Sequence, residues 1–250
     1  MRFWCKIPLL VGRKKILARI RAAVNGLLGC GIEVALNDVK SHSRNFTVRE
    51  YIDYYHLVEG GRSRKELLQC LETGCQVLEE LGVDYCVAGG TLLGLFRDGE
   101  FLPKEHDIDI YIYSEKYIFE IIRKMPFDVM VVATNDLIGA FTQLCFLDRR
   151  SNAFFDIWIY RDEDEYMVSH MWTGTFRLPK SIIQNRTTLN VDGREYPVPE
   201  PEEYCCYWYG KDYRKPKSYS EDWVAHYERD CQGFTHDPTN ALRVIKYYES

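Results

Sequence analysis

Hydrophobic positions along the 250-residue chain change period several times, and each change marks an element. Between residues 14 and 28, Ile16, Leu17, Ile20, Val24, Leu27 and Leu28 fall on one helical face, with Lys14, Lys15, Arg19 and Arg21 off it. Residues 36–62 are polar and predict a connection with a short helix around Val48–Leu57. A capping box, Ser63-Arg-Lys-Glu66, opens the next helix. Leu67, Leu71, Cys75, Leu78 and Leu81 give that helix its buried stripe, and Gly82 closes it. A short apolar strand, Asp84–Ala88, runs into Gly89-Gly90, and Thr91–Arg97 reads as a short helix.

Strict alternation then takes over. In Asp107–Tyr113, Asp107, Asp109, Tyr111 and Tyr113 share one strand face while Ile108, Ile110 and Ile112 share the other. Ser114 is placed to cap a helix reaching about Lys124, followed by strands at Phe127–Ala133 and Gly139–Leu147. Ala153–Tyr160 alternates again, with Asp156, Trp158 and Tyr160 opposite Phe155, Ile157 and Ile159. Asp192-Gly193 predicts a hairpin turn, Pro201–Tyr209 a helix ended by Gly210, and Thr239–Tyr248 a last short helix. The order of these elements predicts an α+β fold with an α/β core: a mixed sheet flanked by helices, behind an N-terminal basic amphipathic helix.

Composition narrows the class. At 46% hydrophobic and 28% charged, the chain is neither disordered nor collagen-like nor a coiled coil. No run of about 18 apolar residues is available to span a membrane as a helix. The net charge of -5 hides an asymmetry: the first 32 residues hold seven basic side chains and no acid, leaving 25 basic against 37 acidic residues beyond them. So acidic a body argues against nucleic acid as a partner. The basic leader is either a surface helix packed on the body or a contact with an anionic membrane surface through residues 1–32. Nine cysteines without a Cys-x-x-Cys pair, and no secretory signal, predict reduced, mostly buried thiols in a cytoplasmic protein, peripheral on the membrane's inner face if the helix binds there.

Two carboxylates at i and i+2 of one strand project side by side, and a strand face is a costly place for two unpaired negative charges. A divalent cation offsets that cost, and oxygen-only ligands favour Mg²⁺ or Mn²⁺. Asp107 and Asp109 are the candidate metal ligands and catalytic pair, with Asp156 on a neighbouring strand as the third. A solvent-facing acidic strand is the plainer alternative. Gly89, Gly90 and Thr91, where a strand opens directly into a helix, offer amides and a hydroxyl to phosphate. Arg97 is a candidate phosphate clamp, and Lys211 and Arg214 are weaker substrate-binding candidates beside the ordinary surface reading.

A glycine strand-to-helix turn followed by Asp-x-Asp on the next strand resembles the nucleotidyltransferase fold. The resemblance tightens over Gly90-Thr-Leu-Leu-Gly-Leu-Phe-Arg97, Phe101-Leu-Pro103, Asp107-Ile-Asp109, Phe155-Asp-Ile-Trp158, Tyr196-Pro-Val-Pro199 and Tyr209-Gly-Lys-Asp-Tyr-Arg214. In these motifs, across roughly residues 63–217, the chain is similar to the LicD family with its fukutin and fukutin-related relatives. The family's acidic run before the final Ile-Asp is Lys104-Glu105-His106-Asp107 here, a departure that bears on substrate identity; His106 is either a substrate contact or a loop-edge residue.

The resemblance implies a catalytic domain at 63–217, between an N-terminal segment at 1–62 and a helical tail at 218–250. It also implies transfer of a phosphocholine- or phosphoribitol-type unit from a CDP-activated alcohol donor to a glycan acceptor, free or lipid-linked, with CMP released. Two alternatives stay open: a true nucleotidyltransferase releasing pyrophosphate, and an inactive membrane-associated scaffold. Trp158, Trp172 and Trp208 fit either ligand stacking or, more commonly, a core.

Overall fold

The computed structural model describes residues 61–135, 140–171, 174–217, 223–236 and 242–245. The basic helix expected at 14–28, the short helix at Val48–Leu57, Trp172, Cys5 and Cys30 lie outside the described residues. Helix α1 (Arg64–Glu80) begins at the anticipated capping box: Ser63 Oγ accepts from Glu66 N–H, and Glu66 Oε2 accepts from Ser63 N–H at 2.8 Å. Its stripe of Leu67, Cys70, Leu71, Cys75 and Leu78 is buried against the sheet.

The main sheet has strand order β1-β2-β5-β4-β3-β12. These strands are β1 (Tyr85–Val87), β2 (Asp107–Ile112), β3 (Asp128–Asn135), β4 (Ala140–Asp148), β5 (Ala153–Ile159) and β12 (Leu242–Ile245). Only β2 and β5 pair in parallel; the other neighbours are antiparallel, so the sheet is mixed as predicted. Helix α2 (Gly89–Asp98) follows β1 and packs on β2, while α3 (Ile118–Lys124) joins β2 to β3. Beyond β5 come β6 (Arg161–Glu163), β7 (Tyr166–Met171) and β8 (Gly174–Pro179), then α4 (Lys180–Gln184) and the hairpin β9 (Thr187–Val191) and β10 (Arg194–Val198). Helices α5 (Pro201–Tyr209) and α6 (Trp223–Asp230) precede β11 (Phe234–His236), which completes a second sheet, β11-β8-β7-β6.

Three expectations are corrected. Leu242–Ile245 is a strand pairing with β3, not part of a helix at Thr239–Tyr248, so the tail is not wholly helical. Its β-branched Val244 and Ile245 suit an edge strand, and the open side of β3 decides. Ser114 does not cap α3, which starts after Tyr117; the Ser114 hydroxyl instead accepts from Lys116 N–H at 3.2 Å in the preceding turn. The second sheet was not foreseen, because β6 has no apolar residue and the apolar positions of β7, adjacent at Met167 and Val168 and then broken by Ser169 and His170, do not alternate.

Aromatic side chains fill the core between the main sheet and α5. Trp208 is fully buried, stacked on Phe176 at 5.3 Å and on Tyr204 at 5.6 Å, and Trp158 is buried beside Phe176, so both tryptophans are core residues. Cys70, Cys75, Cys86, Cys145, Cys205 and Cys231 are buried, with Cys206 half-buried.

Helix α1 meets β5 at a glycine. A Cβ built on Gly74 falls 2.3 Å from the Phe155 ring. Gly74→Val should therefore lower stability by about 2–3 kcal/mol through overpacking, read as a fall in Tm by thermal unfolding. An unchanged Tm would show that helix and sheet do not pack this closely.

Candidate active site

The parallel pairing of β2 with β5 builds the site. Asp109 lies directly opposite Asp156 in register, and Asp107 is two residues back on the same face of β2. The structure thus brings the three predicted carboxylates onto one sheet face at one end of two adjoining strands. A fourth acid joins them. The Glu105 carboxylate, on the loop entering β2, is hydrogen-bonded to Asp107 and lies 3.1 Å from where a Cβ on Gly90 would be. Metal-ligating atoms of Glu105, His106 and Asp107 all lie within 4.8 Å of one another.

The glycine turn grips Asp109 from several directions. Gly90 N–H donates to Asp109 Oδ2 at 2.8 Å, Asp109 N–H donates to Thr91 Oγ1 at 2.9 Å, and Ala88 N–H donates to the Asp109 carbonyl at 3.0 Å. Gly89 N–H donates to Tyr204 Oη at 2.9 Å. Both glycine amides that the sequence offered to phosphate are therefore engaged within the protein. Helix α2 begins at Gly89 rather than Thr91, so Gly90 N–H, in its first turn, meets the carboxylate that follows on the next strand. Gly89 is required here on two counts: its φ is +55°, and a Cβ would fall 2.1 Å from Asp109 Oδ2.

Asp156 is held differently. It is 5% exposed, and both its oxygens accept from Gln143 Nε2 at 2.8 Å, with Trp158 Nε1 donating to Oδ2 at 3.3 Å. Burial raises its pKa to about 7, assisted by the Asp107 charge and opposed by the Gln143 and Trp158 hydrogen bonds. Burial also pushes the Asp109 carboxyl well above the usual carboxylate range, with Asp107 and Asp156 adding to the rise and the Gly90 and Thr91 amides opposing it. Glu105 is raised by burial first, then by Asp107 and Asp109. Such a set of crowded, desolvated oxygen ligands fits a hard divalent cation.

The basic candidates are not drawn into this cluster. Arg97 stands in the last turn of α2, the opposite end from the glycines, where its guanidinium donates to Asp98 at 2.6 Å and to the Tyr213 carbonyl at 3.2 Å. Lys211 is exposed after α5, and Arg214 is exposed, ion-paired with Glu202 and set over the Phe96 and Tyr213 rings. His106 has Nδ1 3.5 Å from the Lys104 carbonyl and its ring edge-on to Phe154, beside Glu105 and Asp107.

Three participants escaped the sequence reading. Glu105 extended the i, i+2 series of acids back by one step, and that signal was legible. Gln143 interrupts an apolar strand, a weaker sign of a buried polar contact. Tyr204 gave none.

A mixed sheet carrying paired aspartates against a glycine strand-to-helix turn defines a domain of the nucleotidyltransferase class. Residues 82–201 match the family model described as LicD/FKTN/FKRP, nucleotidyltransferase domain, so over this stretch the chain is similar to the LicD family. Ribitol-5-phosphate transferase FKTN of Macaca fascicularis is 26% identical over 178 residues, which cover 67% of this chain and 37% of that protein. The human FKTN is 25% identical over the same length and coverage. Ribitol 5-phosphate transferase FKRP of Mus musculus is 49% identical over 39 residues, 16% of this chain and 8% of its own. The chain thus spans little more than a third of the length of these FKTN relatives. Among solved structures, the lincosamide antibiotic adenylyltransferase LnuA aligns at 17% identity with a TM-score of 0.38, covering 56% of this chain and 82% of that one. No helix among the described residues is long and apolar enough to cross a membrane.

The Asp156 carboxyl rises from 3.8 to about 7 on folding. Its contribution to stability is therefore full below about pH 4 and is lost as pH climbs through about 7. Asp156→Asn cannot ionise. In chelator-treated protein, the Tm of Asp156→Asn should gain on the wild type steadily between pH 4 and pH 8. A Tm difference that stays flat across that window would contradict the assignment.

Proposed function

We propose that this domain moves a phospho-alcohol unit, of the phosphocholine or phosphoribitol kind, from a CDP-activated donor to a glycan hydroxyl and releases CMP. One observation carries the reading: Glu105, Asp107, Asp109 and Asp156 meet beside a glycine turn inside a domain similar to the LicD family. The names of the FKTN and FKRP relatives, ribitol phosphate transferases, support a phosphorylated sugar alcohol as the group moved.

Glu105, Asp107 and Asp109 would hold Mg²⁺ or Mn²⁺. When bound, that ion neutralises the donor's diphosphate and the charge developing on departing CMP. Asp156 is the proton acceptor, because its raised pKa of about 7 suits a general base at neutral pH. The glycan hydroxyl oxygen bonds to the phosphorus that carries the alcohol. The bond from that phosphorus to the CMP oxygen breaks, and the hydroxyl proton passes to Asp156. Gln143 and Trp158 keep that carboxylate oriented. Gly89, Gly90 and Thr91 serve the reaction by fixing Asp109. The basic face at 14–28 would hold the domain at an anionic membrane, beside an acceptor growing on a lipid carrier.

Two measurements test the proposal. A panel of CDP-alcohols with Mg²⁺ should release CMP with at least one member, whereas pyrophosphate release from a nucleoside triphosphate would replace this reading with nucleotidyl transfer. Asp107→Asn combined with Asp109→Asn should reduce turnover by more than about a thousandfold while leaving the folded state intact, since charge is removed but almost no volume. Full activity in that variant would end the metal assignment.

The membrane contact has its own test in the full chain. Reversing Lys14, Lys15, Arg19 and Arg21 to glutamate should abolish flotation with phosphatidylserine vesicles, and unchanged flotation would remove the leader's proposed role.

A further inference from the structure

Helix α5 reaches the site through one hydroxyl. Tyr204 is fully buried, and its Oη accepts from Gly89 N–H at 2.9 Å. The same oxygen lies 2.9 Å from Tyr111 Oη, and the two hydroxyls share one hydrogen bond. Tyr111 is two residues beyond Asp109 on the same strand face. A closed circuit results: from Asp109 to Gly90 N–H, back one residue to Gly89 N–H, across to Tyr204, on to Tyr111, and along β2 to Asp109. Gly89 occupies the left-handed region, where its backbone has no intrinsic preference strong enough to fix the direction of its N–H. Something outside the turn must fix it.

We infer that Tyr204 is a positioning residue for the active site: by holding Gly89 N–H it sets the glycine turn, and thereby the Asp109 carboxylate, in the geometry that takes the cation. Burial keeps the Tyr204 hydroxyl protonated, its pKa well above the ordinary tyrosine value, so it acts as a neutral acceptor throughout the working range. The Tyr204 ring is itself locked, stacked on Trp208 with planes 13° apart and set edge-on to Tyr111 at 6.2 Å. Pro201 at the first turn of α5 and the Glu200 cap, which accepts from Glu203 N–H at 2.6 Å, fix where that helix starts. The Pro-led helix thus supplies a brace rather than a substrate contact. This inference rests on the transferase reading for its catalytic consequence, but not for its structural one.

Tyr204→Phe removes the hydroxyl and little else, and three readouts follow. Amide hydrogen exchange at Gly89 and Gly90 should accelerate about tenfold, the loss expected when one buried hydrogen bond of ordinary strength is removed. Mn²⁺ affinity, measured by electron paramagnetic resonance titration of the full chain, should weaken several-fold. In the CDP-alcohol assay kcat should fall about tenfold with KM for the donor unchanged. Tyr196→Phe is the control, because Tyr196 is equally buried on the β9–β10 hairpin and outside the circuit; it should move none of the three. If exchange and Mn²⁺ affinity change while the wild type turns over no CDP-alcohol, the brace stands and the proposed reaction fails. If exchange at both glycines and Mn²⁺ affinity are the same in Tyr204→Phe as in the wild type, the brace is overturned whatever the turnover.

Discussion

Crowded negative charge on a half-buried sheet face is the constraint around which this domain is organised. A lone carboxylate taken out of water costs several kcal/mol, and like charges at neighbouring positions add to that cost. Asp107, Asp109 and Asp156 share one face, with Glu105 against them, and burial raises the protonation range of Glu105, Asp109 and Asp156. The protein answers locally wherever it has donors: the Gly90 and Thr91 amides around Asp109, an amide side chain and an indole around Asp156. Those donors orient the acids but leave the net charge in place. A divalent cation would remove it, and the proposed diphosphate chemistry calls for such an ion.

The surrounding architecture follows from holding that cluster still. Parallel pairing of β2 with β5 puts Asp109 opposite Asp156, and the antiparallel partner β4 supplies Gln143 alongside. Helix α2 must start hard against β2, and only glycine at 89 allows its backbone to approach Asp109 so closely. On the same face, beside the acids, Tyr111, Tyr204 and Trp208 pack ring against ring, so the cluster is flanked by a rigid aromatic wall.

How much of this was legible in the sequence depended on how local the signal was. The capping box, the Asp107–Ile112 and Ala153–Ile159 alternations, the Asp192-Gly193 turn and the Pro201–Tyr209 helix are written in spacings of two to four residues, and each was found where expected. The convergence of Asp156 with Asp107 and Asp109 was readable because faces within alternating strands are determined by parity. Register between strands was not, nor was the use of the glycine amides. They were assigned to phosphate because a strand-to-helix turn has free donors in isolation, whereas tertiary packing brings Asp109 and Tyr204 to them first. Arg97 misled for a related reason: a basic residue one helix length from a glycine turn is near it in sequence but at the far end of the helix in space. The strand Leu242–Ile245 depends on the open edge of β3, a long-range fact with no local trace.

The central claim is that these carboxylates form one cation site, and anomalous diffraction from crystals grown with Mn²⁺ tests it most directly. A peak bonded to Asp107 and Asp109 at a little over 2 Å, with Glu105 in reach, is the predicted result. Manganese bound only elsewhere, with Asp107 and Asp109 left unligated, would contradict the account.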